Sequence, residues 1–129
     1  MGSSVNTKTK VLYIEDNPAN IKLMRDIFSE FLPYDLDCAM NAADGIELAK
    51  KEHPGLILMD INMAEMNGFE ALAILLQDTA FSTTPIIAIS GDAMPEQIDK
   101  ALEAGFSDYV SKPFNVVELI AIIKKKLNG

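Results

Sequence analysis

The chain has 129 residues, 49% of them hydrophobic, a size that suits one compact domain and is too short for two ordinary ones. Its 19 acidic and 11 basic residues give a formal net charge of -8, which would repel a phosphate backbone. The clustered basic residues Lys124, Lys125 and Lys126 lie at the end of a predicted helix, where cations offset the helix dipole. The composition therefore argues against direct nucleic-acid binding.

Cysteine content and hydropathy indicate the compartment. The single cysteine, Cys38, excludes an internal disulfide, and its neighbours Leu36 and Ala39 predict that it is a small buried side chain. No apolar run reaches the roughly 18 residues of a membrane-spanning helix, and the polar N-terminus lacks the apolar centre of a signal peptide. We therefore predict a cytoplasmic domain over residues 10–127 without membrane insertion, preceded at 1–9 by a disordered leader or a cloning remnant.

Five predicted strands alternate with five predicted helices. In chain order, the strands are expected at residues 11–14, 35–39, 56–59, 86–89 and 107–110, of which the second and fifth have the weaker patterns. Apolar runs this short are typical of buried parallel strands. Their alternation with helices implies a parallel sheet that is covered on both faces.

Two predicted helices have clear sequence signals. Asn17 and Pro18 predict the start of the first, because an Asn side chain can cap free amides and proline is tolerated at the first helical position. Gly105 predicts the end of another. The apolar positions at helical spacing are Ile21, Met24, Ile27, Phe28 and Phe31 in the first helix and Val116, Leu119, Ile120, Ile123 and Leu127 in the last.

Polar residues follow four of the predicted strands. They are Glu15 and Asp16 after the first strand, Asp60 at the end of the third, Ser90 after the fourth and Lys112 after the fifth. Any one of them alone is typical of a solvated loop or a helix cap. In a doubly wound sheet, however, the functional crevice lies beyond the carboxyl ends of the strands. Their coincidence at that edge favours a functional site.

The residue types at this edge indicate phosphoryl and metal chemistry. Converging carboxylates repel one another, and a hard divalent cation relieves that repulsion. A few carboxylates with retained waters suit Mg²⁺ better than calcium. Lys112 could pair with Asp60 or with an incoming phosphoryl oxygen, and Ser90 could donate to another such oxygen.

The sequence resembles the response-regulator receiver family from Lys10 to Leu127. The matching stretches are VLYIEDN at 11–17, LILMDINM at 56–63 with MNG at 66–68, SGDAM at 90–94 and SKPF at 111–114. The departures are Ala64 in place of a frequent proline, Asn67 in place of a frequent aspartate, and Glu15 where aspartate is as common. The resemblance implies a flavodoxin-like α/β fold, with a doubly wound five-stranded parallel sheet of order 2-1-3-4-5 and five helices.

The same resemblance implies a role for each residue at the edge. Asp60 would be the phosphoacceptor, Asp16 a direct Mg²⁺ ligand, and Glu15 a ligand that acts mainly through water. The backbone carbonyl of Asn62 would complete the ligand set. Asn62 and Asp92 would flank the approach of water to the acyl phosphate and so tune its lifetime.

The resemblance also implies a switch rather than a turnover enzyme. A histidine kinase or a histidine phosphotransfer protein would supply the phosphoryl group, with Mg²⁺ and Lys112 neutralising its charge and Ser90 orienting it. Movement of Ser90 would let Tyr109 turn inward and change the binding of a downstream protein to the face of the fourth helix, fifth strand and fifth helix. Tyr109 could instead be an ordinary half-buried strand aromatic, but we favour the switch role.

Three other classes of function are weighed against this one. Residues 56–60 also resemble the nucleophile strand of haloacid-dehalogenase-type phosphatases, but Asn62 stands where that family has its second aspartate. A nucleotide or flavin module would need a phosphate cradle, and the first strand leads into Glu15 and Asp16 instead. A docking receiver that works without phosphorylation is disfavoured by the complete set of reacting residues. Whether the chain is a stand-alone regulator or the receiver of a hybrid sensor kinase stays open.

Overall fold

The computed structural model describes residues 8–128, so the leader predicted at 1–9 lies mostly outside the described residues. The strands are β1 Lys10–Ile14, β2 Asp35–Ala39, β3 Leu56–Asp60, β4 Ile86–Ser90 and β5 Asp108–Ser111. The helices are α1 Pro18–Phe31, α2 Ala42–Glu52, α3 Gly68–Leu76, α4 Pro95–Ala104 and α5 Val116–Asn128, with a 3₁₀ turn at Thr79–Phe81. In the described part of the chain, no helix is long and apolar enough to cross a membrane.

The five strands form one parallel sheet in the order β2-β1-β3-β4-β5, which confirms the predicted topology. Hydrophobic layers cover both of its faces. In β3, Ile57 and Met59 pack on the layer of α2, α3 and α4, whereas Leu56 and Leu58 pack on the layer of α1 and α5. Burial on both faces explains why the central strands are continuous apolar runs.

Several strands extend beyond their apolar runs. β3 continues to Asp60, which pairs with Ile89, and β4 continues to Ser90, which pairs with Ser111. The end of β3 at Asp60 is as predicted, whereas the end of β4 was predicted one residue too early, because backbone pairing does not depend on side-chain polarity. As a result, Asp60 and Ser90 belong to the sheet itself rather than to the loops that follow it.

The predicted ends of two helices are confirmed. Asn17 Oδ1 accepts a hydrogen bond of 2.9 Å from the Ala19 amide at the start of α1, directly before Pro18. Gly105 follows α4 at a φ of 122°, a backbone conformation that glycine adopts without strain.

Two predicted burials are wrong. Phe31, the last residue of α1, is 55% exposed, because the chain leaves the helix there and Leu32 takes the buried place. Cys38 is only half-buried, since it lies on β2, an edge strand of the sheet.

Candidate functional site

Three carboxylates meet where β1 and β3 end. Glu15 and Asp60 are buried, with 0% and 2% exposure, and Asp16 is the more accessible of the three. One oxygen from each lies within 4.8 Å of the others. Asp16 Oδ2 also accepts a 3.4 Å hydrogen bond from the amide of Ala64, which a proline there could not donate. The donor set fits a hard divalent cation, because oxygens this close repel one another unless a positive charge lies between them.

Lys112, in the loop after β5, brings a positive charge to the carboxylates. Its Nζ lies 2.9 Å from Glu15 Oε1 and 3.4 Å from Asp60 Oδ2. Its backbone amide donates to the Ser90 carbonyl at 2.8 Å, which ties the loop to β4. The expected proximity of Lys112 to Asp60 is therefore present, but the shorter contact is with Glu15.

Ser90 lies at the end of β4 with no solvent exposure. Its Oγ accepts hydrogen bonds from the Asp92 amide at 3.1 Å and from Asn62 Nδ2 at 3.4 Å. The amide of Asn62 donates in turn to Asp60 Oδ1 at 3.1 Å. Asn62 thus connects the carboxylate of Asp60 with the hydroxyl of Ser90, whereas the Asp92 carboxylate accepts from the Met94 amide at 2.9 Å, within its own loop.

Tyr109 is half-buried on β5, and its hydroxyl donates to the backbone carbonyl of Asp92. The contact attaches Tyr109 to the loop between β4 and α4, two residues beyond Ser90. A surface groove of about 460 Å³ lies beside it, lined in part by Pro113, Glu118 and Ile122.

Tyr13 was not predicted as part of the site. It is fully buried in β1, and its hydroxyl donates to Glu15 Oε1 at 2.7 Å. Burial, together with the Glu15 carboxylate, raises the pKa of the Tyr13 phenol, which therefore stays protonated. The available signal was the spacing, because residues i and i+2 of a strand point to the same face of the sheet.

The two buried carboxylates have opposite pKa shifts. Burial and the neighbouring Glu15 carboxylate raise the pKa of Asp60 to about 7. Burial also acts to raise the pKa of Glu15, but the neighbouring Asp60 carboxyl group and then the Lys112 ammonium hold it below its ordinary value. Burial acts to lower the pKa of Lys112, and its bonds to the two carboxylates raise it. Near neutral pH and without a bound metal ion, Glu15 and Lys112 are therefore charged and Asp60 is partly protonated.

Comparisons with known proteins identify the family. The family model of the response regulator receiver domain matches residues 11–124 of this chain. The polar-differentiation response regulator DivK of Brucella ovis is 35% identical over 117 residues, which cover 91% of this chain and 94% of DivK.

Solved structures agree in fold. The chemotaxis protein CheY4 of Vibrio cholerae has a TM-score of 0.87 at 23% identity, over 94% of this chain and 100% of that one. The receiver domain of a signal transduction histidine kinase from Syntrophus aciditrophicus has a TM-score of 0.84 at 26% identity, over 94% of this chain and 91% of that one. This chain therefore belongs to the response regulator receiver domain family.

Proposed function

We propose that this receiver domain is a signalling switch that accepts a phosphoryl group on Asp60 from the phosphohistidine of a histidine kinase or a histidine phosphotransfer protein. The observation that carries the proposal is the buried carboxylate of Asp60 with the ammonium of Lys112 only 3.4 Å away. A carboxylate withdrawn from water is a stronger nucleophile, and a fixed cation beside it can balance the charge of an arriving phosphoryl group.

The residues present can hold a divalent ion beside the nucleophile. Glu15, Asp16 and Asp60 would hold Mg²⁺, with the backbone carbonyl of Asn62 as a further ligand. When bound, the ion supplies positive charge next to the phosphoryl oxygens.

The transfer forms a bond between an Asp60 oxygen and phosphorus while the bond from phosphorus to the imidazole nitrogen breaks. Lys112 neutralises charge on the phosphoryl oxygens. Both hydrogen bonds that Ser90 Oγ makes within the described residues use it as an acceptor, so its own proton is available to a phosphoryl oxygen. Asn62 and Asp92 are proposed to control the access of water to the acyl phosphate.

The proposed output begins at Ser90. When its hydroxyl turns to a phosphoryl oxygen, the loop held by the Ser90 and Asp92 contacts is released, and Tyr109 loses its place on the Asp92 carbonyl. Tyr109 belongs to the output face, formed by α4, β5 and α5, where a downstream protein would bind. The domain assists its own phosphorylation and does not turn over a substrate, and its cytoplasmic location stays a prediction.

Intact mass spectrometry after incubation with acetyl phosphate and Mg²⁺ tests the phosphoacceptor. We expect one phosphoryl adduct on the wild type, removed by hydroxylamine and absent both from Asp60→Asn and from a chelated sample. Asp26→Asn is the matched control, because Asp26 is an exposed aspartate of α1 that pairs with Lys22 on the same helix, and it should be phosphorylated normally. If the wild type forms no adduct under rapid quenching, the phosphoacceptor proposal is wrong and a docking receiver independent of phosphorylation replaces it.

A further inference from the structure

Tyr13 is a buried polar side chain to which the proposed phosphoryl transfer assigns no role. It is the fourth of the five residues of β1, between Leu12 and Ile14, and has no solvent exposure. A buried tyrosine hydroxyl needs a hydrogen-bond partner, and here the partner is the Glu15 carboxylate at 2.7 Å. A hydrogen bond to a charged carboxylate is stronger than one between neutral groups, so this contact constrains Glu15 firmly.

The donors around Glu15 are distributed unequally over its two oxygens. Oε1 receives the Tyr13 hydroxyl at 2.7 Å, Lys112 Nζ at 2.9 Å and Asn20 Nδ2 at 3.3 Å. Oε2 receives only the amide of Asn17, at 3.3 Å, among the described residues. Oε2 is therefore the oxygen that can accept a further ligand, whereas Oε1 is held in place by Tyr13, which belongs to the sheet.

We infer that Tyr13 is a positioning residue of the phosphoacceptor site, whose hydroxyl holds Glu15 so that one oxygen engages Lys112 and the other stays available to a divalent cation. The inference rests on the proposed function of this site. In this role Tyr13 acts through its hydrogen bond to Glu15. Without its hydroxyl, Glu15 loses its shortest contact and its carboxylate can rotate away from the ion.

The test compares Tyr13→Phe with the wild type by calorimetric titration with Mg²⁺ and by the rate of phosphorylation from acetyl phosphate. We expect the Kd for Mg²⁺ to rise about tenfold, since groups that orient metal ligands typically contribute ten- to a hundredfold to affinity. The rate at saturating Mg²⁺ should fall less than threefold. Tyr34→Phe is the matched control, because Tyr34 donates to Asn128 at 3.4 Å on the surface and should leave both quantities unchanged.

A double-mutant cycle with Glu15→Gln separates positioning from a general loss of packing. If Tyr13 acts through Glu15, Tyr13→Phe has no further effect on Mg²⁺ affinity in the Glu15→Gln protein. An equal tenfold loss in that background, or an unchanged Kd in Tyr13→Phe alone, overturns the inference. The titration needs no phosphoryl transfer, so a wild type that binds Mg²⁺ and forms no adduct contradicts the proposed function while the cycle still decides the role of Tyr13.

Discussion

Asp60 is buried, and only 2% of the residue is exposed to solvent. Ionisation of Asp60 is unfavourable there, because the charged carboxylate cannot be fully hydrated and the nearby Glu15 carboxylate repels it. Lys112 offsets part of this cost. The protonation of Asp60 therefore affects both the stability of the fold and the reactivity of the proposed nucleophile.

The free energy of unfolding in metal-free buffer should fall as the pH rises from 5 to 8. The pKa of Asp60 is about 7 in the folded protein and 3.8 ordinarily, so its stabilising contribution is fully present below 3.8 and is lost as the pH rises through 7. Between pH 5 and 8 this loss amounts to at most about 3 kcal/mol, because about 2 pKa units of the shift lie above pH 5 and each corresponds to about 1.4 kcal/mol. Urea unfolding at several pH values in chelator measures it.

Asp60→Asn is the control for this pH dependence. Glu15, whose pKa is lowered, loses its contribution only on acidification below its ordinary 4.5, and Lys112, whose pKa is raised, only above 10.5, so neither accounts for a change between pH 5 and 8. The variant should therefore have a nearly level profile. Equal slopes in the variant and the wild type would exclude Asp60 as the source.

Residues of the site were predictable where a polar side chain directly follows an apolar run. Glu15, Asp60, Ser90 and Lys112 were found because polar residues directly after apolar runs meet at one sheet edge. Tyr13 was not found, because a tyrosine inside an apolar strand is more often core. Its hydroxyl became interpretable only when the distance to Glu15 was known.

At the scale of elements, the start of α3 braces the strand that carries the proposed nucleophile. Asn67 and Glu70 form a reciprocal cap, each amide donating to the other side chain at 3.0 Å, so the departure from aspartate at 67 preserves the cap. The next residue, Gly68, donates from its amide to the Ile61 carbonyl at 2.9 Å. A Cβ at position 68 would lie 2.8 Å from Ile61 Cα and 3.0 Å from the Asp60 carbonyl oxygen.

Gly68→Ala should destabilise the protein by about 1–3 kcal/mol, because backbone atoms of β3 must move to admit the methyl group. The displacement reaches Asp60, so phosphorylation by acetyl phosphate should also slow. Gly91→Ala is the matched control, since a Cβ there meets nothing within 4 Å, and its stability should change by less than about 0.5 kcal/mol. Chemical denaturation of both variants measures the difference, and equal stabilities would show that β3 accommodates the methyl group freely.

Element identity was readable from periodicity, whereas element ends depended on contacts between distant segments. The apolar runs located all three central strands, but the pairing of Ser90 with Ser111 lengthened β4 beyond its run. Helical spacing placed Phe31 with the buried face of α1, yet the tertiary position of the last turn leaves it exposed. Neither outcome depends on local sequence alone.

At the scale of the whole molecule, the sheet order brings residues from four chain segments together. This order was predictable from the resemblance to the receiver family, because alternation of strands and helices fixes a parallel sheet but leaves its order open. The Tyr109 contact with the Asp92 carbonyl was not predictable, since it depends on the path of the loop between β4 and α4. On the proposed function, that contact links the site to the output face.

Phosphorylation should shift amide NMR resonances across the output face in the wild type but only near Asp60 in Ser90→Ala. Alanine at position 90 has no hydroxyl that could leave its contact with the loop and donate to a phosphoryl oxygen. The beryllofluoride complex provides a long-lived substitute for the phosphoryl group in these spectra. Ser29→Ala, at an exposed position of α1, is the control and should behave as the wild type. Shifts that still reach Tyr109 in Ser90→Ala would contradict the proposed route.

The position of Asp60 at the end of a central strand has a practical consequence. Because β3 is paired on both sides and buried on both faces, Asp60 reaches its partners only when neighbouring strands are in register. Strands of this kind open only with the whole domain in native-state hydrogen exchange. On the proposed function, the fraction of a preparation that takes up one phosphoryl group therefore counts its natively folded molecules, so the same assay can titrate active protein after purification, storage or refolding.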